Sequence, residues 1–302
     1  MKNQLVLVDA DSLIYLAGIA GQKTKYYVVM EGESGYLYPG TFRYVKDIDA
    51  HCEEHNLTVI DKEKIIEELP VEFSLHVVKA KLEEIQRKYG KRLRVYIKGA
   101  VGKNFRDEIY TVQGYKANRN TPKPLHYDAI VSYMLRYWDA IRIEWKEVDD
   151  QVALDAYESS MPYIVCSPDK DLDQIPGLHW NYRTAVEYTI SEAEAREFFW
   201  TQVLMGDAAD NIGGCWNVGE GKAKKLIAEW IDEHDEVIWE NILKVYEESM
   251  EHETCPYKEM DADEVAIQTA RCVWMQTERN ALWTPPGDEF QYMAIEEERW
   301  DG

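Results

Sequence analysis

The sequence predicts an α/β protein in which a parallel, doubly wound sheet is flanked by helices and followed by a mostly helical region. Three observations predict it. A continuous apolar run at 5–8 lacks the in-out alternation of a half-solvated strand, as strands buried on both faces do, and further strand-like runs follow at 93–97 and 163–166. Segments with helical spacing separate these runs, which is the βα alternation of a parallel sheet. After about residue 190 the pattern turns helical.

In order, the first run ends in Asp9, and Ser12 caps a helix through about Ala20. Residues 26–45 alternate aromatic, β-branched and Gly/Pro positions and read as either a ribbon or a long loop. Residues 72–89 place Phe73, Leu75, Val78, Leu82 and Ile85 at helical spacing, and Gly90 stops them. The next strand is 93–97; 127–138 is a helix, 141–145 a strand, 149–157 a helix, and 163–166 and 178–182 are further strands. From Glu229 the chain is helical and strongly acidic. The expected division is therefore a sheet domain over 1–190 and a helical region over 191–302.

A chain of 302 residues that is 45% hydrophobic can bury a sizeable core. Five cysteines with no CxxC pair argue against zinc and disulfides and for a reducing compartment. The first apolar run breaks at Asp9, too early for a signal peptide, and no stretch is long enough to span a membrane, so the expected location is the cytoplasm. The net charge of −22 opposes general nucleic-acid binding, but it is unevenly spread. From Glu229 onward 21 acidic residues face 5 basic ones, whereas residues 91–123 hold nine Lys/Arg against two acids. Such a basic segment can engage phosphates while the acidic remainder discourages indiscriminate binding.

The acids fall where a parallel sheet places its ligands, beyond the carboxyl ends of strands. Asp9 and Asp11 close the first strand, Glu147, Asp149 and Asp150 follow another, Asp169 and Asp171 a third, and Asp207 and Asp210 stand three apart on a later turn. Singly each reads as a helix cap or turn. Together they would repel unless divalent cations neutralised them, and oxygen donors without His or Cys suit Mg²⁺ or Mn²⁺. Next to Asp210, Gly213, Gly214, Gly219 and Gly221 lead into a basic helix beginning near Lys222. Backbone N–H groups and a helix N-terminus there suit a sugar-phosphate backbone, read without base contacts.

Five blocks make a resemblance specific: Val8-Asp9-Ala10-Asp11; Asn104-Phe105-Arg106 with Tyr115-Lys116-Ala117-Asn118-Arg119; Glu147-Val148-Asp149-Asp150; Ser167-Pro168-Asp169-Lys170-Asp171-Leu172; and Met205-Gly206-Asp207-Ala208-Ala209-Asp210-Asn211-Ile212. In type and order they resemble the 5′ nuclease superfamily of flap endonucleases and 5′ to 3′ exonucleases, most closely a bacteriophage-type 5′ to 3′ exonuclease. The resemblance implies a PIN-like sheet domain with a helical arch at about 100–145, and a helix-hairpin-helix (H3TH) element at about 198–230. It implies that Asp9, Glu147, Asp149, Asp150, Asp169, Asp171, Asp207 and Asp210 hold two Mg²⁺ or Mn²⁺ ions, each ligand being dispensable to the fold. Lys116 and Arg119 would act on the scissile phosphate. Lys98, Lys103, Arg106, Tyr115, Lys123, Gly214, Gly219, Gly221, Lys222 and Lys225 would meet the nucleic acid, with K⁺ at the hairpin carbonyls. The implied activity is two-metal hydrolysis of DNA at 5′ ends, gaps or flaps, with RNA–DNA hybrids as further substrates. Its setting would be phage replication, host DNA degradation or primer removal, by a monomer in the host cytoplasm.

Two positions depart from the family pattern. Lys98 stands where the family presents an aspartate, and Asn217 where it has glycine, the second being benign because Asn tolerates a left-handed backbone. Lys98 opens an alternative, a catalytically impaired DNA-binding relative. Asp9 and Asp11 at a strand end open another, a phosphatase with an aspartyl nucleophile.

Overall fold

A computed structural model describes residues 4–100, 103–119, 122–287 and 293–294. A six-stranded sheet is organised around the strand Leu5–Asp9, all five residues of which are buried. Leu93–Lys98 pairs with it in parallel on one side, Val6 opposite Leu93 and Asp9 opposite Tyr96, and Tyr163–Cys166 on the other. Ile141–Ile143 extends the first side, Gly177–Asn181 the second, both in parallel. This is why the first apolar run does not alternate: a central strand with layers on both faces has no solvent side. The outermost strand, Val186–Ile190, runs antiparallel and is mostly exposed, an edge that the sequence pattern does not announce.

Contacts gather the chain into two compact units, residues Met1–Ser12, Glu83–Pro122 and Leu135–Gly302, and residues Leu13–Leu82 and Lys123–Met134. In the first, the helix Val148–Tyr157 lays Val152, Ala153 and Ala156 against Leu5, Leu7, Tyr96 and Val165 of the sheet. The same unit contains the helices Glu192–Met205, Glu220–Trp230, Asp235–Met250 and Ala262–Val273, which share a second core built on Trp200, Trp239, Tyr246 and Trp283. The second unit holds the ribbon left open above. Gln22–Gly32 pairs antiparallel with both Leu37–Phe42 and Leu57–Glu68, and the helix Val45–His55 buries Ile48 on Val28 and Met30.

The stretch expected as a helical arch holds one short helix, Arg106–Ile109, tight turns through Arg119, the helix Tyr127–Tyr137 and the strand Ile141–Ile143. Much of the acidic tail, 288–292 and 295–302, lies outside the described residues. Among those described, no helix is long and apolar enough to cross a membrane.

The helix Glu192–Met205 begins with a reciprocal cap, Ser191 Oγ accepting from Glu194 N and Glu194 Oε2 accepting from Ser191 N, and stops at Gly206. Gly206 has φ 68° and ψ −165°, and a Cβ there would lie 2.3 Å from the Ile212 carbonyl oxygen. It also opens the two-residue pairing of Gly206 with Gly213 and Asp207 with Ile212, from which Asp207 and Asp210 project. Gly206→Ala should therefore cost ~3 kcal/mol in strain and displaced backbone. Urea unfolding measures it, and a midpoint equal to wild type would refute the constraint.

Candidate functional site

The adjacent parallel strands Leu5–Asp9 and Tyr163–Cys166 lead at their carboxyl ends to Asp9 and to Asp169 and Asp171, while Glu147 and Asp149 follow Ile141–Ile143. Asp9, at the end of the central strand, is buried, and its carboxylate accepts from Asp11 N (3.1 Å) and Ser167 Oγ (2.7 Å). The Ser167 hydroxyl oxygen in turn accepts from Asp169 N (2.9 Å), and Asp169 Oδ1 from Asp171 N (3.0 Å). The turn after Tyr163–Cys166 is thereby tied to the end of its neighbour. Gln202, from the helix Glu192–Met205, donates to Asp171 Oδ1 at 2.8 Å. Asp207 fixes its own turn by accepting from Ala209 N at 2.7 Å.

The electrostatics show that these groups crowd one another. Burial, then Asp11 and Asp169, pushes Asp9 up to about 7. Burial, then Asp169 and Asp207, does the same to Asp171, up to about 7. Asp149 is raised well above the carboxylate range by burial and by Asp9, Asp169 and Glu147. Asp11, which the sequence reading set aside, belongs to the same group: its Oδ1 accepts from Lys98 N at 2.7 Å, and burial raises it against the pull of the Lys98 ammonium. Only its spacing from Asp9 could have signalled this.

Lys116 and Arg119 face this cluster. Lys116 has φ 52°, and its backbone N–H donates to Asp210 O at 2.8 Å. Its ammonium meets Glu147 and, at 3.2 Å, Asp210. The Arg119 guanidinium pairs with the other oxygen of Asp210 and donates to Ala209 O at 3.2 Å. Burial opposes the Lys116 charge, yet Glu147 and Asp210 outweigh it and raise its pKa; burial likewise opposes the Glu147 charge, but Lys116 and Arg106 hold that carboxyl down at about 2. Asp210 itself is raised, its burial exceeding the help of Lys116 and Arg119.

Several expected site residues sit elsewhere. Asp150 is wholly buried, and Arg106 takes both of its oxygens at 2.6 and 2.9 Å, the same guanidinium donating to the carbonyls of Cys272 and Trp274. Asp150 also accepts from Glu147 N at 3.0 Å, closing the first turn of its helix. Arg106 is thus an interior anchor, not a phosphate contact, and Asp150 has no oxygen to spare for an ion. Tyr115 is buried with its hydroxyl 3.4 Å from Asp210, so its ring offers no stacking platform. Gly214 is also interior, since a Cβ would lie 2.3 Å from Met205 C.

Gly219 and Gly221 are exposed with open space where a Cβ would be, at the start of Glu220–Trp230, and Asn217 adopts φ 61°. Lys222 and Lys225 are exposed on that helix, and Lys224 pairs with Glu220 at 2.7 Å. Lys98 and Lys103 are exposed in the first unit; Lys123 belongs to the second, 4.5 Å above the ring of Tyr127.

Among the described residues no three acidic, His or Cys side chains converge closely enough as they stand to enclose an ion. The donor chemistry nevertheless fits hard divalent cations: carboxylate oxygens only, several of them pushed up by burial and then by one another, a demand that bound positive charge would meet.

A central, mostly parallel sheet flanked by helices defines a mixed α/β class that solved structures share. Divalent metal ions (zinc) bound to the 5′-exonuclease of bacteriophage T5 give one such structure, with a TM-score of 0.51 at 14% identity over 90% of this chain and 89% of that one. The T5 D15 protein co-crystallised with metal ions gives 0.49 at 14% identity over 90% and 89%. The T5 D15 flap endonuclease, as a pseudo-enzyme–product complex with DNA and metal ions, gives 0.47 at 18% identity over 66% and 79%. The first of these establishes the fold, the one the family resemblance implies. No family model matches the chain, and neither does any curated protein.

Two stability effects follow. Asp150→Ala strands a buried guanidinium and should destabilise by ~3–5 kcal/mol, while Arg106→Met with Asp150→Leu should recover most of that loss. Denaturant titration of the three proteins decides it; an intact Asp150→Ala protein would return Asp150 to the metal-ligand set. Asp9 and Asp171, raised to about 7, keep protons in the folded chain that they release on unfolding. Without divalent ions, stability should therefore fall as pH rises from about 4 to 7, by ~1.4 kcal/mol per pK unit and group. Glu147 acts oppositely, its contribution being lost only as pH falls toward about 2. Thermal melts in EDTA at pH 5 and 8 test the sign, and a more stable protein at pH 8 would contradict it.

Proposed function

We propose that the chain is a divalent-metal-dependent 5′ nuclease that hydrolyses phosphodiester bonds of DNA from 5′ ends, with exonuclease or flap endonuclease action. The observation that carries the reading is the crowding of Asp9, Asp149, Asp169, Asp171 and Asp207 beside the cations Lys116 and Arg119, on a fold shared with a phage 5′-exonuclease. Asp9, Glu147, Asp149, Asp169, Asp171, Asp207 and Asp210 are the residues that would hold two Mg²⁺ or Mn²⁺ ions. The chemistry such ions supply when bound is Lewis-acid charge at a phosphoryl oxygen and easier ionisation of water.

The chain's own residues do the rest. Lys116, kept protonated by Glu147 and Asp210, presents a fixed positive charge where phosphoryl oxygens gain negative charge. Arg119, half exposed on its pair with Asp210, can turn spare N–H groups to a phosphate. The open backbone at Gly219 and Gly221, with Lys222 and Lys225, suits a duplex backbone gripped at a helix N-terminus, with K⁺ as a further ligand of that turn. Such a protein would work on gapped or flapped duplexes and RNA–DNA hybrids, as a monomer in the cytoplasm, in phage replication or primer removal. The rival phosphatase reading gives no role to Asp149 and Asp169, which crowd Asp9.

Cleavage of a 5′-labelled flapped duplex in Mg²⁺, with EDTA as control, is the test. Asp171→Asn and Lys116→Ala should each lower the rate about 10²–10³-fold, the scale of losing one group that stabilises the transition state. Duplex affinity should change little. A wild type that binds DNA yet never cuts it in Mg²⁺ or Mn²⁺ would establish the binding-only alternative. Replacing Lys222 and Lys225 together by Ala should instead weaken duplex binding and lower its salt slope by about 2. An unchanged slope would mean that this helix faces away from DNA.

A further inference from the structure

We propose that Gln202 is a positioning residue of the acid cluster, the last link of a buried amide chain that sets the Asp171 carboxylate for a divalent cation. Gln174 and Gln202 are both buried, 7% and 2% exposed. The Met275 N–H donates to Gln174 Oε1 at 3.1 Å, which puts the Gln174 amide nitrogen at the other end of the group. That nitrogen donates to Val273 O at 2.6 Å and to Gln202 Oε1 at 2.5 Å. With its oxygen taken, Gln202 has only its Nε2 to present to Asp171, and it donates to Oδ1 at 2.8 Å. Each amide therefore has one orientation, set by two backbone groups where the helix Ala262–Val273 ends.

Packing alone does not require such a chain. Apolar side chains of the same shape would fill the space at little cost, because replacing both partners of a buried hydrogen bond is nearly neutral. What they would lack is an N–H aimed at Asp171. The backbone of Asp171 is held as well, its N–H donating to Asp169 Oδ1 at 3.0 Å. Its Oδ2 receives no hydrogen bond among the described residues. One oxygen is thus pinned and the other left open, so the carboxylate loses little freedom when an ion arrives. Gln202 is buried and acts only through Asp171. That Asp171 is a ligand of Mg²⁺ or Mn²⁺ is the reading proposed above, and the role of Gln202 rests on it.

Calorimetry with Mn²⁺ alone, without DNA, tests this role apart from cleavage. Gln202→Met keeps the length of the side chain but has no N–H. It should weaken Mn²⁺ binding by about 10–100-fold, the range for losing a hydrogen-bond partner of a metal ligand. Gln174→Met frees the Gln202 amide to turn and should weaken binding in the same direction by a smaller factor. It also carries the test if Gln202→Met does not fold. Added to Asp171→Asn, neither substitution should cause a further loss, because a residue that acts through Asp171 has nothing left to position. A merely structural role would instead lower the melting temperature and leave Mn²⁺ affinity alone. Wild-type affinity in folded Gln202→Met and Gln174→Met proteins would overturn the role of Gln202 while leaving the metal reading in place. An equal further loss in the Asp171→Asn background would do the same. A wild type that binds no Mn²⁺ would overturn both together.

Discussion

Repulsion among carboxylates gathered at one edge of a sheet is the constraint on which the rest of the first unit depends. Parallel pairing brings the ends of Leu5–Asp9 and Tyr163–Cys166 together, and with them Asp9, Asp11, Asp169 and Asp171. Burial then denies these groups the water that would screen them, which is why Asp9 and Asp171 rise to about 7. A fold selected only for stability would place such acids apart. Keeping them together stores a demand for positive charge.

The chain meets part of that demand itself. Lys116 bridges Glu147 and Asp210, Arg119 takes the other oxygen of Asp210, and the Lys98 charge favours the ionised form of Asp11. These cations are held by backbone as well as charge, since Lys116 N–H donates to Asp210 O and Arg119 to Ala209 O. The segment they stand on is anchored from within by Arg106, whose guanidinium joins Asp150 to the carbonyls of Cys272 and Trp274 at the end of the helix Ala262–Val273.

How far the site was legible in the sequence depends on what each residue's role requires. That Asp9, Asp169, Asp171 and Asp207 stand at strand ends and turns was legible, because such placement is a local feature of the chain. Arg106 and Asp150 were misread because nothing in one dimension tells that the two meet 44 residues apart. Tyr115 and Gly214 were misread for a related reason: aromatic rings and glycines serve packing and phosphate contact alike, and only the surroundings separate the two.

The sequence by itself determined the parallel strands of the main sheet and most of the helices between them, the acids at strand ends and the helical remainder, because apolar periodicity and turn chemistry act over a few residues. It could not determine the antiparallel edge Val186–Ile190 or the pairing of Gln22–Gly32 with Leu57–Glu68, since those depend on partners distant in the chain. Nor could it decide which charges stay free. Tertiary structure decided that Asp150 is spent on Arg106 while Lys116 and Arg119 stand on Asp210, for a charge is matched or left open by what folds against it.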